Sequence, residues 1–197
     1  MKLLKTNIQH TAEIKKSRFL TYIYQVANEE EVKSYLAEIK KNNPGAKHVI
    51  YAYITSDLKM GASEDKEPIN SAHRILNNLK SKGVAGLACF VVRYFGGTLL
   101  GASTLDRTYV SCVFDSLKDE CFGEKIDLGV YEGNISNNYL STFEEEINKL
   151  GGEVLEKIYL GPIVKVTFSL QKNSFSKTIY SYLTDVVKTD RNISVIV

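Results

Sequence analysis

The chain predicts an α+β protein of two domains: an N-terminal α/β domain over residues 1–124 and a C-terminal ferredoxin-like, split-βαβ domain over residues 125–197. Three observations predict this. Apolar residues at helical spacing alternate with strand-like runs through the first part, so helices and strands are interleaved there. From Ile126 onward the order reads β-α-β-β-α-β. The charge also changes sign near the same place, with residues 1–125 carrying a net +4 and residues 126–197 a net −2.

The elements follow in order. Leu3–His10 and Arg18–Val26 read as strands. A helix is expected from Asn28 to Lys41, with Asn28 as N-cap and Glu31 in the first turn, and Val32, Tyr35, Leu36 and Ile39 form its buried face. Asn43-Pro44-Gly45 breaks it, and His48–Thr55 reads as a strand. A polar loop, Ser56 to Lys66, leads to a helix from about Pro68 that buries Ile69, Ala72, Leu76 and Leu79. Val84–Arg93 is apolar almost to its end, as in a central strand covered on both faces. A helix from Ser103 to about Leu117 carries Leu105, Tyr109, Val110, Val113 and Phe114. The domain boundary is placed near Gly123–Ile126.

In the second domain Ile126–Tyr131 reads as a strand, and a helix from Ser136 sets Tyr139, Phe143, Ile147 and Leu150 on one face before Gly151-Gly152 ends it. Val154–Tyr159 and Ile163–Leu170 flank a Gly161-Pro162 turn, and Val164, Val166 and Phe168 alternate with Lys165 and Thr167 as in a strand with one buried face. A second helix from about Ser174 carries Phe175, Ile179, Leu183 and Val186, and Ile193–Val197 closes the domain.

Composition narrows the function. With 44% hydrophobic and 24% charged residues and a net charge of +2, the chain is ordinary for a globular protein. The longest apolar run, Val84 to Val92, is too short to span a bilayer, and Met1-Lys2-Leu3-Leu4-Lys5 leads into a polar stretch, so neither a membrane span nor a secretory signal is expected. Cys89, Cys112 and Cys121 are odd in number, widely spaced and set among apolar neighbours, which reads as reduced thiols in a cytoplasmic protein. The basic excess is far from the stripe of a dedicated DNA binder. His10, His48 and His73 show no metal-ligand spacing, Cys89 sits in an apolar run that disfavours a thiolate, and no serine has a GxSxG setting. No catalytic residue, metal or cofactor is therefore expected.

Two stretches carry the candidate chemistry. In Gly61-Ala62-Ser63-Glu64-Asp65-Lys66-Glu67-Pro68, three acids precede a helix. They suit the positive end of its dipole, or alternatively gather around a cation or a basic partner; DxDxDG spacing is absent. In Arg93-Tyr94-Phe95-Gly96-Gly97-Thr98-Leu99-Leu100-Gly101, a glycine-rich turn joins the buried strand to a helix. Such a turn presents backbone N–H groups to a phosphate or simply packs tightly; it is neither a Walker loop nor GxGxxG. Arg93 and Tyr94 need partners at the end of a buried strand, and Glu64, Asp65 or Glu67 would supply them.

Lys16-Ser17-Arg18-Phe19, Ala46-Lys47-His48 with Tyr51-Ala52-Tyr53, Ser63-Glu64-Asp65-Lys66-Glu67-Pro68, Val92-Arg93-Tyr94-Phe95-Gly96-Gly97, Leu100-Gly101 and Arg107-x-Tyr109 together resemble the YigZ/Impact family in order and spacing, over roughly residues 15–112. The resemblance implies a first domain like the second domain of a small-subunit ribosomal protein and a second domain like the fifth domain of elongation factor G. It also implies a role in translation, since eukaryotic relatives regulate it by occupying a partner of a starvation-responsive kinase. The chain departs from the family where Lys66 replaces a glycine, where Asn70-Ser71-Ala72-His73 replaces a Gly-Thr-Ala-Gly segment, and where Gly-Gly-Leu appears as Ser103-Thr104-Leu105, with Asp106 before Arg107.

The expected function is a non-catalytic regulator associated with translation that binds RNA, the ribosome or a translation-related protein. Its surface is assigned to Arg18, His48, Glu64, Asp65, Glu67, Arg74, Arg93, Tyr94, Gly96, Gly97 and Arg107. The alternatives are an enzyme acting on a small anionic substrate with a divalent ion at Glu64, Asp65 and Glu67, and a protein–protein adaptor.

Overall fold

The computed structural model describes residues 2–46 and 48–196. Lys47 of the Ala-Lys-His motif and Val197 of the expected closing strand lie outside the described residues. The chain divides into two compact units, Met1–Glu124 with Ile196–Val197, and Lys125–Val195.

The first unit is built on β1 (Lys2–Leu4), β2 (Ile8–Ile14), β3 (Ser17–Gln25), α1 (Glu29–Asn42), β4 (His48–Ile54), β5 (Met60–Ser63), α2 (Ser71–Ser81), β6 (Val84–Ala85), β7 (Leu87–Tyr94) and α3 (Ala102–Phe114). Its main sheet is antiparallel in the order β2-β3-β7-β4-β5, with β7 at the centre. Alternation along β7 builds two cores. Leu87, Cys89 and Val91 pack with Ile75 and Leu79 of α2 and Tyr109 and Val113 of α3, whereas Ala88, Phe90 and Val92 pack with Val32 and Ile39 of α1. The strand expected over Val84–Arg93 is divided at Gly86, whose φ is 70°, into β6, which pairs with β1, and β7, whose central position explains its apolar run, since both faces are covered.

Asn28 caps α1 by accepting from the Glu31 amide at 3.0 Å, while the Glu31 carboxylate accepts from the Ala27 amide at 2.7 Å, so the reciprocal bond lands one residue earlier than in an ideal capping box. The expected strand Leu3–His10 is two strands, β1 and β2, in separate sheets. Lys5-Thr6-Asn7 turns the chain, and the Asn7 side chain accepts from the Gln25 amide while Gln25 donates to the Leu4 carbonyl. The polar loop before α2 also contains the edge strand β5, pairing Tyr51 with Ser63 and Ile54 with Met60. An edge strand with no buried face has no alternation to betray it. Helix α2 begins at Ser71, not near Pro68, because tight turns from Glu64 to Glu67 and from Glu67 to Ile69 occupy the approach.

The second unit contains β8 (Phe122–Ser136) from Lys125 onward, the strand's first three residues belonging to the first unit, where they pair with β1, then α4 (Leu140–Lys149), β9 (Glu153–Leu160), β10 (Ile163–Leu170), α5 (Lys177–Tyr182) and β11 (Leu183–Ile196) as far as Val195. Strand order β9-β10-β8-β11 places β10 between the strands that α4 connects, which is the split βαβ arrangement. Its core includes Phe143, Ile147, Val164, Val166, Phe168 and Ile179. Two helix expectations need correction. The buried face of α4 is Leu140, Phe143 and Ile147, while Tyr139 and Leu150 lie outside the helix and are exposed. The last helix stops after six residues, and Leu183 starts a strand reaching Ile196. β-Branched Thr184, Val186 and Val187 favour extended chain, and pairing with β8 satisfies its backbone. Among the described residues no helix is long and apolar enough to cross a membrane.

Candidate functional site

The sequence-predicted residues fall into two groups in the first unit. The larger forms around the end of β7. Register places Arg93 opposite Phe19 on β3 and opposite His48 on β4, and Tyr94 opposite Arg18. Glu67 reaches this place from the turn before α2. Its Oε1 accepts from Arg93 at 3.3 Å and from the Tyr109 hydroxyl at 3.2 Å, and lies 3.9 Å from His48 Nε2. The Glu67 and Arg93 side chains are only 6% and 11% exposed, so this is a buried ion pair supported by a buried phenol. Burial, reinforced by the Glu67 carboxylate, pushes the Tyr109 hydroxyl well above its ordinary range, which keeps the proton available for that bond. His48, Glu67 and Arg93, with exposed Phe95 and Leu99, line a surface cleft of about 200 Å³.

Asp65 joins the group through the backbone of β4. Its Oδ2 accepts from the Val49 amide at 2.8 Å, its carbonyl meets His48 Nδ1 at 2.9 Å, and Oδ1 lies 3.4 Å from Lys40 Nζ. Tyr94 donates to the Asn43 side chain at 2.8 Å, and the Arg18 guanidinium stacks 4.7 Å from the Tyr94 ring centroid. Gly96 lies against the β2–β3 turn, and its amide donates to Ser17 Oγ at 3.2 Å.

The second group lies at α2 and α3. Glu64 Oε1 accepts from the Ala72 and His73 amides, which makes it the cap of α2. Arg74 and the Ser71 hydroxyl both bond Asp106. Arg107 is exposed and has no ion pair among the described residues. The three acids thus diverge: Glu64 serves a helix start, Asp65 a strand backbone, and Glu67 an arginine and a tyrosine. The divalent-ion alternative required them to face one point, and among the described residues no acid, histidine or cysteine cluster could hold a metal.

Sequence reasoning missed the part played by Tyr109, Asn43 and Ser17. The signal for Tyr109 was present, since a tyrosine on the buried face of a helix needs a partner for its hydroxyl. The thiols are consistent with inert packing: burial pushes Cys89 far upward and Cys112 to about 11. Ellman's reagent at pH 8 should therefore label the half-buried Cys121 of the folded protein first and reach Cys89 and Cys112 only on unfolding. Labelling of Cys89 as fast as Cys121 would contradict this packing.

The fold and this cluster define a class: a two-unit α+β protein whose first unit carries an Arg-Tyr-Phe-Gly-Gly strand end clasped by an acidic turn. The Impact N-terminal domain model matches residues 15–117, and the chain belongs to the Impact family. An IMPACT family member of Haemophilus influenzae is 36% identical over 119 residues, 58% of this chain and 58% of the relative, so the match spans less than two thirds of that protein. YigZ of Escherichia coli is 29% identical over 152 residues, 75% of this chain and 74% of the relative. YvyE of Bacillus subtilis is 30% identical over 144 residues, 72% of this chain and 66% of the relative. A crystal structure described only as that of a hypothetical protein has a similar fold, with a TM-score of 0.60 and 25% identity over 87% of this chain and 85% of the other.

Proposed function

We propose that the protein is a non-catalytic, cytoplasmic regulator associated with translation, and that its first unit contacts RNA or the ribosome through the strand end built by Arg18, Tyr94 and Phe95 and the adjoining Lys15-Lys16 turn. One observation carries the reading. Arg18 is exposed, stacked on Tyr94 and free of any ion pair among the described residues, and Asp65 and Glu67 are engaged inside the fold, which leaves Glu13, opposite Arg18 on β2, as the exposed acid beside it. Apart from Glu13, the surface left over is basic and aromatic. Lys15 and Lys16 are exposed at the tip of the β2–β3 hairpin, with φ of 46° and 65°, and Phe95 is 47% exposed. Guanidinium and ammonium groups neutralise phosphates, and exposed aromatic faces stack on unpaired bases.

Family membership supports the translational setting, because the resemblance implies it for eukaryotic relatives. The expected likeness of the two units to the second domain of a small-subunit ribosomal protein and the fifth domain of elongation factor G points the same way, as analogy between folds. Arg107 and the Arg74–Asp106 pair belong to a separate patch, which this reading leaves outside the contact.

The test is fluorescence anisotropy with a labelled single-stranded RNA between 50 and 200 mM salt. Three phosphate contacts predict a log–log salt slope of roughly −2, and Arg18→Ala should flatten it by about 0.7. Absence of RNA and ribosome binding at 50 mM salt defeats the proposal, as does capture of a translation protein by a contact that ignores salt and Arg18.

A further inference from the structure

The second unit holds a cleft of about 310 Å³ that the function proposed above does not use. Tyr131 of β8, Lys172 and Phe175 from the connection after β10, Tyr180 of α5, and Val186 and Lys188 of β11 form its walls. Its volume is at the small end of the range for ligand pockets, roughly 300–1,000 Å³.

Three properties give this cleft a chemical character. It is aromatic: the Tyr131 and Phe175 rings meet edge-on at 4.5 Å, and Phe175 and Tyr180 lie 5.1 Å apart. Tyr180 is 57% exposed, an open ring face at the rim. The cleft is also cationic. The ion pairs of this unit join Lys149 to Glu146, Lys157 to Glu144 and Lys165 to Glu132, and leave Lys172 and Lys188 exposed without one among the described residues. Among the described residues no carboxylate lines it.

Finally, the cleft offers a polar group on its wall. Tyr131 as a whole is only 6% exposed, but its hydroxyl makes no hydrogen bond among the described residues and is open to solvent, so it is free to bond a ligand. Room for it exists because position 129 is glycine: a Cβ there would lie 2.9 Å from the Tyr131 oxygen.

A flat ring system satisfies the aromatic wall, an anionic group satisfies the two ammonium groups, and a polar ring edge or sugar hydroxyl satisfies the phenol. Inorganic phosphate lacks the first feature, and an aliphatic carboxylic acid lacks the first and third. We propose that this cleft binds one nucleoside phosphate, with the base against Tyr180 and Phe175, the Tyr131 hydroxyl bonded to the base edge or sugar, and the phosphate held by Lys172 and Lys188. A free nucleotide and a nucleotide within an RNA strand present the same chemistry. The site is independent of the Arg18 face.

The full chain is titrated with AMP, GMP, CMP and UMP and followed by ¹H–¹⁵N NMR. Expected are shifts centred on Lys172, Phe175, Tyr180, Val186 and Lys188, and binding weakened about five- to a hundredfold by Tyr180→Leu, which removes a stacking ring. Adenosine, guanosine, cytidine and uridine should bind more weakly than their phosphates, and the Lys172→Ala/Lys188→Ala variant should erase that difference. Both substitutions are at exposed residues, and unchanged spectra elsewhere verify the fold. Arg18→Ala should leave this binding intact, which separates failure of this site from failure of the first-unit contact. A labelled decanucleotide that binds tighter than UMP identifies an RNA strand as the source, and one that binds no tighter identifies the free nucleotide. The proposal is overturned if no nucleotide moves these resonances at millimolar concentration, if the lysine variant binds nucleotides as wild type does, or if O-phosphotyrosine binds here and nucleotides do not.

Discussion

Gly96→Ala should destabilise the first unit by roughly 3 kcal/mol or more, an effect expected of a side chain forced into filled space. A Cβ at position 96 would overlap the Lys16 carbonyl and lie 2.5 Å from the Ser17 amide nitrogen. Both obstacles are backbone, so no rotamer change relieves them. Relief requires the end of β7 to separate from the β2–β3 turn, which breaks the bond from the Gly96 amide to Ser17 Oγ and disturbs the pairing of Arg18 with Tyr94. At about 2–4 °C per kcal/mol for a chain of this size, the melting temperature should fall by roughly 6–12 °C. Gly97→Ala is the control. Its φ of 83° is unfavourable for alanine, but nothing lies within 4 Å of the added carbon, so only the backbone penalty of about 1 kcal/mol applies. Equal melting temperatures for Gly96→Ala and wild type would show that the close approach does not exist. The same loss in both variants would attribute the effect to glycine flexibility instead.

Removal of Glu67 should be about as damaging, for an electrostatic reason. Glu67→Ala leaves Arg93 89% buried without its carboxylate and the Tyr109 hydroxyl without its acceptor. Losing one partner of a buried ion pair costs about 3–5 kcal/mol, because the remaining charge stays out of water uncompensated. Arg93 already has its Nε buried without a hydrogen bond, so little within the fold can take over. Arg93→Ala should cost a similar amount, and the double variant less than the sum by roughly 1–3 kcal/mol. Glu67→Gln keeps an acceptor of the same shape and should fall between Glu67→Ala and wild type. Urea denaturation of the four variants and the parent measures this directly. Strict additivity would mean that Glu67 and Arg93 act separately, and the cluster at the end of β7 would lose its organising contact.

Much of this arrangement was legible in the sequence and some of it was not. Strand β7 was readable because an apolar run bounded by glycine and arginine has few other homes, and α1 because Asn28 and Glu31 mark its start with their own hydrogen bonds. Both depend on contacts near in sequence. Strand β5 escaped because a short edge strand has no periodicity of its own. The end of α5 escaped because Leu183 and Val186 pack on the same core from a strand as they would from a helix, so apolar spacing could not separate the two.

The same division runs through the candidate site. Two stretches, one acidic and one Arg-Tyr-Phe-Gly-Gly, stood out by composition, and their membership in one family's motif followed from order and spacing. Which acid serves which partner was decided only in three dimensions. Glu64, Asp65 and Glu67 are near neighbours in the chain and could all have met Arg93, but only Glu67 does. Two successive left-handed residues, Asp65 and Lys66, redirect the chain between them. The physical reason is that composition determines which groups must find partners, whereas the strand register that sets His48 and Phe19 on either side of Arg93 determines which partners lie within reach.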